Sequence, residues 1–83
     1  MTLKRLTSPG HLDDRYRALI IRLRTRREEL KLSQRELADR LKVHQQFVSR
    51  VELLSRRLDV VEFSDYVAAL ELDPAKLFAS IGR

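Results

Sequence analysis

The chain has 83 residues, no cysteine, and 17 Lys/Arg against 12 Asp/Glu, for a formal net charge of +5. One small domain fits that length, and the missing thiols exclude disulfide staples and thiolate metal sites, so stability has to come from helix packing, with dimerisation as further support. No apolar run approaches the roughly 20 residues that span a bilayer, and the first residues lack the apolar stretch of a signal peptide. A cytoplasmic protein without a membrane partner is expected.

Charge is unevenly placed. Residues 1–58 carry 15 Lys/Arg and 7 Asp/Glu, a net of +8, whereas residues 59–83 carry 2 and 5, a net of −3. A basic front with an acidic back suits a molecule that meets a polyanion on one side and something else on the other. Residues 1–10, MTLKRLTSPG, hold Ser-Pro-Gly punctuation and little pattern, and read as a flexible basic lead to a domain over residues 11–83. From His11 or Leu12, the apolar residues Leu12, Tyr16, Leu19, Ile20, Leu23 and Leu30 recur at steps of three and four. They predict a first helix running to about Leu30. Arg15, Arg17, Arg22, Arg24 and Arg26 fall largely off that stripe, as solvated side chains of which some could clamp a phosphate backbone.

Ser33 followed by Glu36 is a capping box, so a second helix begins there, with Leu37, Ala38 and Leu41 as its apolar stripe. Lys42-Val43-His44 leaves about three residues for a turn, the spacing of two crossing helices. The next helix, from about Gln45 to Leu53, has two opposed faces at 100° per residue. Phe47, Val48 and Val51 form one; Gln45, Gln46, Ser49 and Arg50 form the other, with no acid among them. Amides pair bidentately with adenine and guanidinium groups with guanine, so this second face carries the chemistry of base edges.

Arg56 and Arg57 lie in the following loop. Asp59 with Glu62 makes another cap, and a helix over roughly Val60 to Leu72 offers Val60, Phe63, Val67 and Leu70 to the core. Asp73-Pro74 starts a last short helix with Leu77, Phe78 and Ile81. The expected architecture is all-α, a compact bundle of five helices containing a helix-turn-helix.

The pattern Arg27, Ser33-Gln34-Arg35-Glu36-Leu37-Ala38, a short turn, and Val51-Glu52 resembles the lambda-repressor/Cro-like (XRE-type) helix-turn-helix family over about Leu19 to Leu77. The adjacent Gln45-Gln46 is similar to the glutamine pair with which some lambdoid phage repressors read bases. At three turns where relatives often carry Gly, this chain has Lys31, Lys42 and Leu54, so those turns are either slightly strained or differently shaped.

The resemblance implies a regulator of transcription that docks the helix at about 45–53 in the major groove of double-stranded DNA. Gln45 and Gln46 would read base edges, Arg50 a guanine or a phosphate, with Ser49 adaptable and Phe47 either packed on its neighbours or touching a thymine methyl. Gln34, Arg35, Arg56 and Arg57 would hold phosphate, and Arg27 would pair with Glu52 as scaffold. Leu72, Phe78 and Ile81 would supply a homodimer contact or finish the monomer's own core. A two-fold dimer would bind a pseudo-palindrome with half-sites about one helical turn apart. RNA polymerase is the further partner of such a regulator, and small single-domain relatives include restriction-modification controller proteins and regulators of phages and mobile elements.

An enzyme would need convergent acids, an activated nucleophile or a metal cage. The chain offers two distant histidines, His11 and His44, and acids scattered at helix starts, so no catalysis, cofactor or metal is expected. The competing reading is an antitoxin or anti-activator whose acidic C-terminal half holds a protein partner. The acid-free Gln45/Gln46/Arg50 face argues against it.

Overall fold

Local capping sets where each helix begins. The computed structural model describes residues 13–80, so the basic lead, the helix start expected at His11 or Leu12, and Ile81 lie outside the described residues. Asp13 accepts the Arg15 backbone N–H at 2.8 Å and opens α1, Asp14–Glu29. Ser33 and Glu36 exchange bonds at the start of α2, Gln34–Leu41: the Ser33 hydroxyl accepts the Glu36 N–H at 3.0 Å, and the Glu36 carboxylate accepts the Ser33 N–H at 2.8 Å. After the turn comes α3, Gln45–Glu52, whose N-cap His44 makes no side-chain capping bond. Asp59 and Glu62 repeat the reciprocal box at the start of α4, Val60–Ala69. The Asp73 carboxylate accepts the Ala75 N–H at 2.9 Å and starts α5, Pro74–Ser80.

The described residues form no strand. Leu23 of α1, Leu37 of α2, Val48 and Val51 of α3, Val67 of α4 with Leu70 at its C-cap, and Leu77 of α5 meet in one buried core. Tyr66, which the apolar pattern of α4 did not single out, is 1% exposed at its centre. Val60, expected in the core, is 75% exposed. It is the first residue of α4, where the helix emerges from its cap into solvent. Among the described residues no helix is long and apolar enough to cross a membrane.

Four of the five helices among the described residues end alike. Beyond α1, α2, α3 and α4, the residues Lys31, Lys42, Leu54 and Glu71 have φ of 58°, 59°, 65° and 62°. At each end, two N–H groups fold back onto the last turn. After α1, Lys31 donates to the Glu28 carbonyl at 3.0 Å and Leu32 to the Arg27 carbonyl at 3.1 Å. The same pairs recur from Lys42 and Val43, Leu54 and Ser55, and Glu71 and Leu72, as the Schellman geometry requires. The three turns without the family's glycine therefore keep the left-handed shape and carry the steric cost, about 1 kcal/mol for each non-Gly residue. Glu71 adds a fourth such turn, and it ends α4 at Ala69 rather than near Leu72.

Arg26 and Arg40 close that same end of α4. Arg26 Nε donates to the Leu70 carbonyl at 3.0 Å, and Arg40 Nη1 donates to the Ala69 carbonyl at 2.9 Å. Cations suit the negative end of a helix dipole. Arg26, expected to be solvated, is instead a link between α1 and α4.

Candidate nucleic-acid interface

α2 and α3 pack directly on one another. The apolar stripe of α3 turns Val48 and Val51 fully inward, each 0% exposed, which forces the opposite face outward. Gln45, Gln46 and Arg50 are exposed there and Ser49 is half-buried. Glu52 is the one acid in α3, and its side chain is 6% exposed beneath the outer face. The outward surface of α3 thus presents two amides and a guanidinium with no competing carboxylate on the helix.

Behind that surface is a polar cluster. Arg27 Nε donates to Glu52 Oε2 at 2.7 Å and Arg27 Nη2 to Glu52 Oε1 at 3.1 Å, a bidentate pair joining α1 to α3. Arg27 Nη1 also donates to the Leu32 carbonyl at 2.7 Å. Gln34 Nε2 donates to Glu52 Oε1 at 2.9 Å, so one carboxylate ties the start of α2 to the end of α3. The bond to Glu52 holds the Arg27 guanidinium above its ordinary pKa, against the opposing effect of burial. The Tyr66 hydroxyl, with no hydrogen-bond partner among the described residues, is pushed upward, first by burial and then by the Glu52 charge.

The expected phosphate contacts are placed unequally. Gln34 stands at the first position of α2 with one amide N–H committed to Glu52. Arg35 is exposed beside it. The two loop arginines diverge: Arg56 lies over the Phe47 ring, 4.6 Å from its centroid, whereas Arg57 lies 5.9 Å from the Tyr16 ring. Arg56 also pairs with Glu62, and that bond holds the Glu62 carboxyl below its usual range. A cleft of about 400 Å³ opens along α3, lined by Lys42, His44, Gln46, Phe47, Arg50 and Arg56 among others.

Of the residues expected at a dimer contact, Leu72 packs against the chain's own core while Phe78 is 62% exposed. Phe78 meets Phe63 edge-on, with ring centroids 6.5 Å apart. Both line an apolar groove of about 220 Å³ with Tyr16, Leu58, Val60 and Arg57. No group of three or more His, Cys, Asp or Glu among the described residues is arranged to hold a metal ion.

Two short helices joined by a three-residue turn, the second with its polar face outward, define a helix-turn-helix domain. Residues 23–77 match the family model described as helix-turn-helix. The chain is also similar to a solved structure, an XRE-family like protein from Pseudomonas syringae pv. tomato str. DC3000. The two are 42% identical, with a TM-score of 0.77, over 81% of this chain and 82% of that one. No curated protein matches. The chain belongs to the XRE-type helix-turn-helix family, a family of DNA-binding regulators.

Proposed function

We propose that this protein is a sequence-specific transcriptional regulator that sets α3 in the major groove and binds a pseudo-palindromic operator as a homodimer. The observation that carries this reading is the outer face of α3. Gln45, Gln46 and Arg50 are exposed, and their side chains make no hydrogen bond or ion pair among the described residues. Paired groups would have to be released before reading a base; these three are already available. Gln45 and Gln46 read base edges, including an adenine, Arg50 reaches a guanine or a phosphate, and Ser49 adapts to its neighbours.

Gln34, Arg35 and Arg57 supply phosphate contacts that set the docking register without reading sequence. Gln34 is oriented for this by Glu52, which takes one of its amide hydrogens and leaves the other. Phe78, exposed at the apolar groove, anchors the dimer contact, with Leu72 and Ile81 as its further candidates. Bound next to a promoter, such a dimer blocks or contacts RNA polymerase according to where its site lies. Regulators of mobile elements and controller proteins are the members of the family that this reading favours.

The test is selection from a randomised DNA library at physiological salt, with Gln45→Ala/Gln46→Ala beside the wild type. An enriched inverted repeat that disappears in the double variant is the expected result. Salt-sensitive binding with no enriched sequence, unchanged in the variant, overturns this reading. It would turn attention to a protein partner on the acidic C-terminal half, as for an antitoxin or anti-activator.

A further inference from the structure

α3 is held very differently at its two ends. Its C-terminal end is tied down by Glu52, which receives Arg27 twice and Gln34 once. Its N-terminal end, which carries Gln45 and Gln46, has no side-chain cap, whereas α1, α2 and α4 each do. An eight-residue helix has only two turns, too few for its own bonds to hold an uncapped end still.

One brace reaches that end from outside the helix. Phe47, next to Gln46, meets two groups: the buried Tyr66 ring, with centroids 6.4 Å apart, and the Arg56 guanidinium, 4.6 Å from its own centroid. Arg56 is itself held by hydrogen bonds. Its Nη1 donates to Glu62 and, at 2.8 Å, to the Arg57 carbonyl. The Glu62 oxygen that receives Arg56 also accepts the Asp59 N–H at 3.0 Å, so the brace is anchored in the capping box of α4. Were it to swing off the ring toward a phosphate, Arg56 would give up the ring contact and both bonds of Nη1 together.

We propose that Arg56 is a positioning residue for base reading, fixing the Gln45/Gln46 end of α3 through Phe47, and not a phosphate contact. This rests on the reading that α3 reads bases. The guanidinium lies over the ring while its Nη1 donates to Glu62 and the Arg57 carbonyl, and the compact ammonium of lysine lacks the planar, delocalised group that stacks on a ring. A phosphate contact, in contrast, tolerates lysine as a point charge.

Arg56→Lys and Glu62→Gln separate the two roles. Each is measured against the selected operator and a scrambled duplex across a salt series, with thermal unfolding as the check on folding. Glutamine still serves the capping box, so Glu62→Gln chiefly weakens the hold on Arg56. Positioning predicts that both variants lose roughly tenfold in operator affinity, about the worth of one base contact. Scrambled-duplex binding and the salt slope stay as in the wild type. A phosphate role predicts near-normal binding for Arg56→Lys and equal or tighter binding for Glu62→Gln. It also predicts a salt slope shallower by about 0.9 for Arg56→Met; any of these results overturns the proposal.

Hydrogen exchange without DNA gives a second reading. The Ser49 and Arg50 amides, whose helical acceptors are Gln45 and Gln46, exchange faster in Arg56→Lys, and unchanged exchange overturns the proposal. If the wild type itself prefers no sequence, the base-reading function fails first and this proposal falls with it. If the wild type discriminates and both variants discriminate equally well, only the positioning role fails.

Discussion

Gln46 and Glu52 lie in the same eight-residue helix, both polar, and the fold treats them in opposite ways. Glu52 is almost fully covered and accepts three hydrogen bonds from two other helices. Gln46 is exposed beside a cleft, with its amide unpaired among the described residues. A buried carboxylate stripped of its donors is costly, whereas an exposed amide loses nothing when it is replaced. One face of α3 is therefore bound to the scaffold. The other is free to take a partner without endangering the fold.

The largest effect that would break this contrast is on the inner face. Arg27→Met leaves the Glu52 carboxylate facing Gln34 alone and should lower the unfolding free energy by about 3–5 kcal/mol, read by urea denaturation. A loss below about 1 kcal/mol, the range of surface pairs, would place the pair among dispensable contacts.

On the outer face, Gln45→Ala or Gln46→Ala should each weaken operator binding by about 1–3 kcal/mol. The same substitutions should change stability by no more than about 0.5 kcal/mol. A stability loss as large as the binding loss would mean that the outer face is structural, and the contrast would collapse.

The turns sharpen the comparison from the backbone side. Lys31 is exposed at a φ of 58°, so Lys31→Gly should stabilise the domain by about 1 kcal/mol. That corresponds to a rise in melting temperature of about 4–8 °C for a domain of this size. An unchanged or lowered melting temperature would show that the turn is not strained.

The smallest effect is with pH. Bonds from Arg56 and Asp59 hold Glu62 below its ordinary pKa, and bonds from the Ser33 backbone and hydroxyl do the same for Glu36. Their contribution is complete above the unfolded carboxylate value of about 4.3 and is lost as pH falls through the lower folded values. Glu36→Gln/Glu62→Gln should therefore show a smaller fall in melting temperature between pH 6 and pH 3 than the wild type. An equal fall would assign acid sensitivity to other carboxylates.

What could be read from the chain alone was what neighbours along the chain decide. Ser33 with Glu36, Asp59 with Glu62, and Asp73 ahead of Pro74 act across two or three residues, so their caps and helix starts were visible as spacing. The two faces of α3 follow from the 3.6-residue period in the same way. Val60 departs from its apolar spacing because periodicity cannot show that the first turn of a helix protrudes from the core.

Tertiary structure decided the contacts that join distant segments. Gln34 meets Glu52 across 18 positions, Arg40 meets Ala69 across 29 and Arg26 meets Leu70 across 44. No local pattern distinguishes these side chains from the other polar groups of a solvated helix. The loop arginines show the limit most clearly. Arg56 and Arg57 are identical neighbours in sequence, yet one faces Phe47 and the other Tyr16. Their contacts separate only because the loop between α3 and α4 sends adjacent side chains to different packed surfaces.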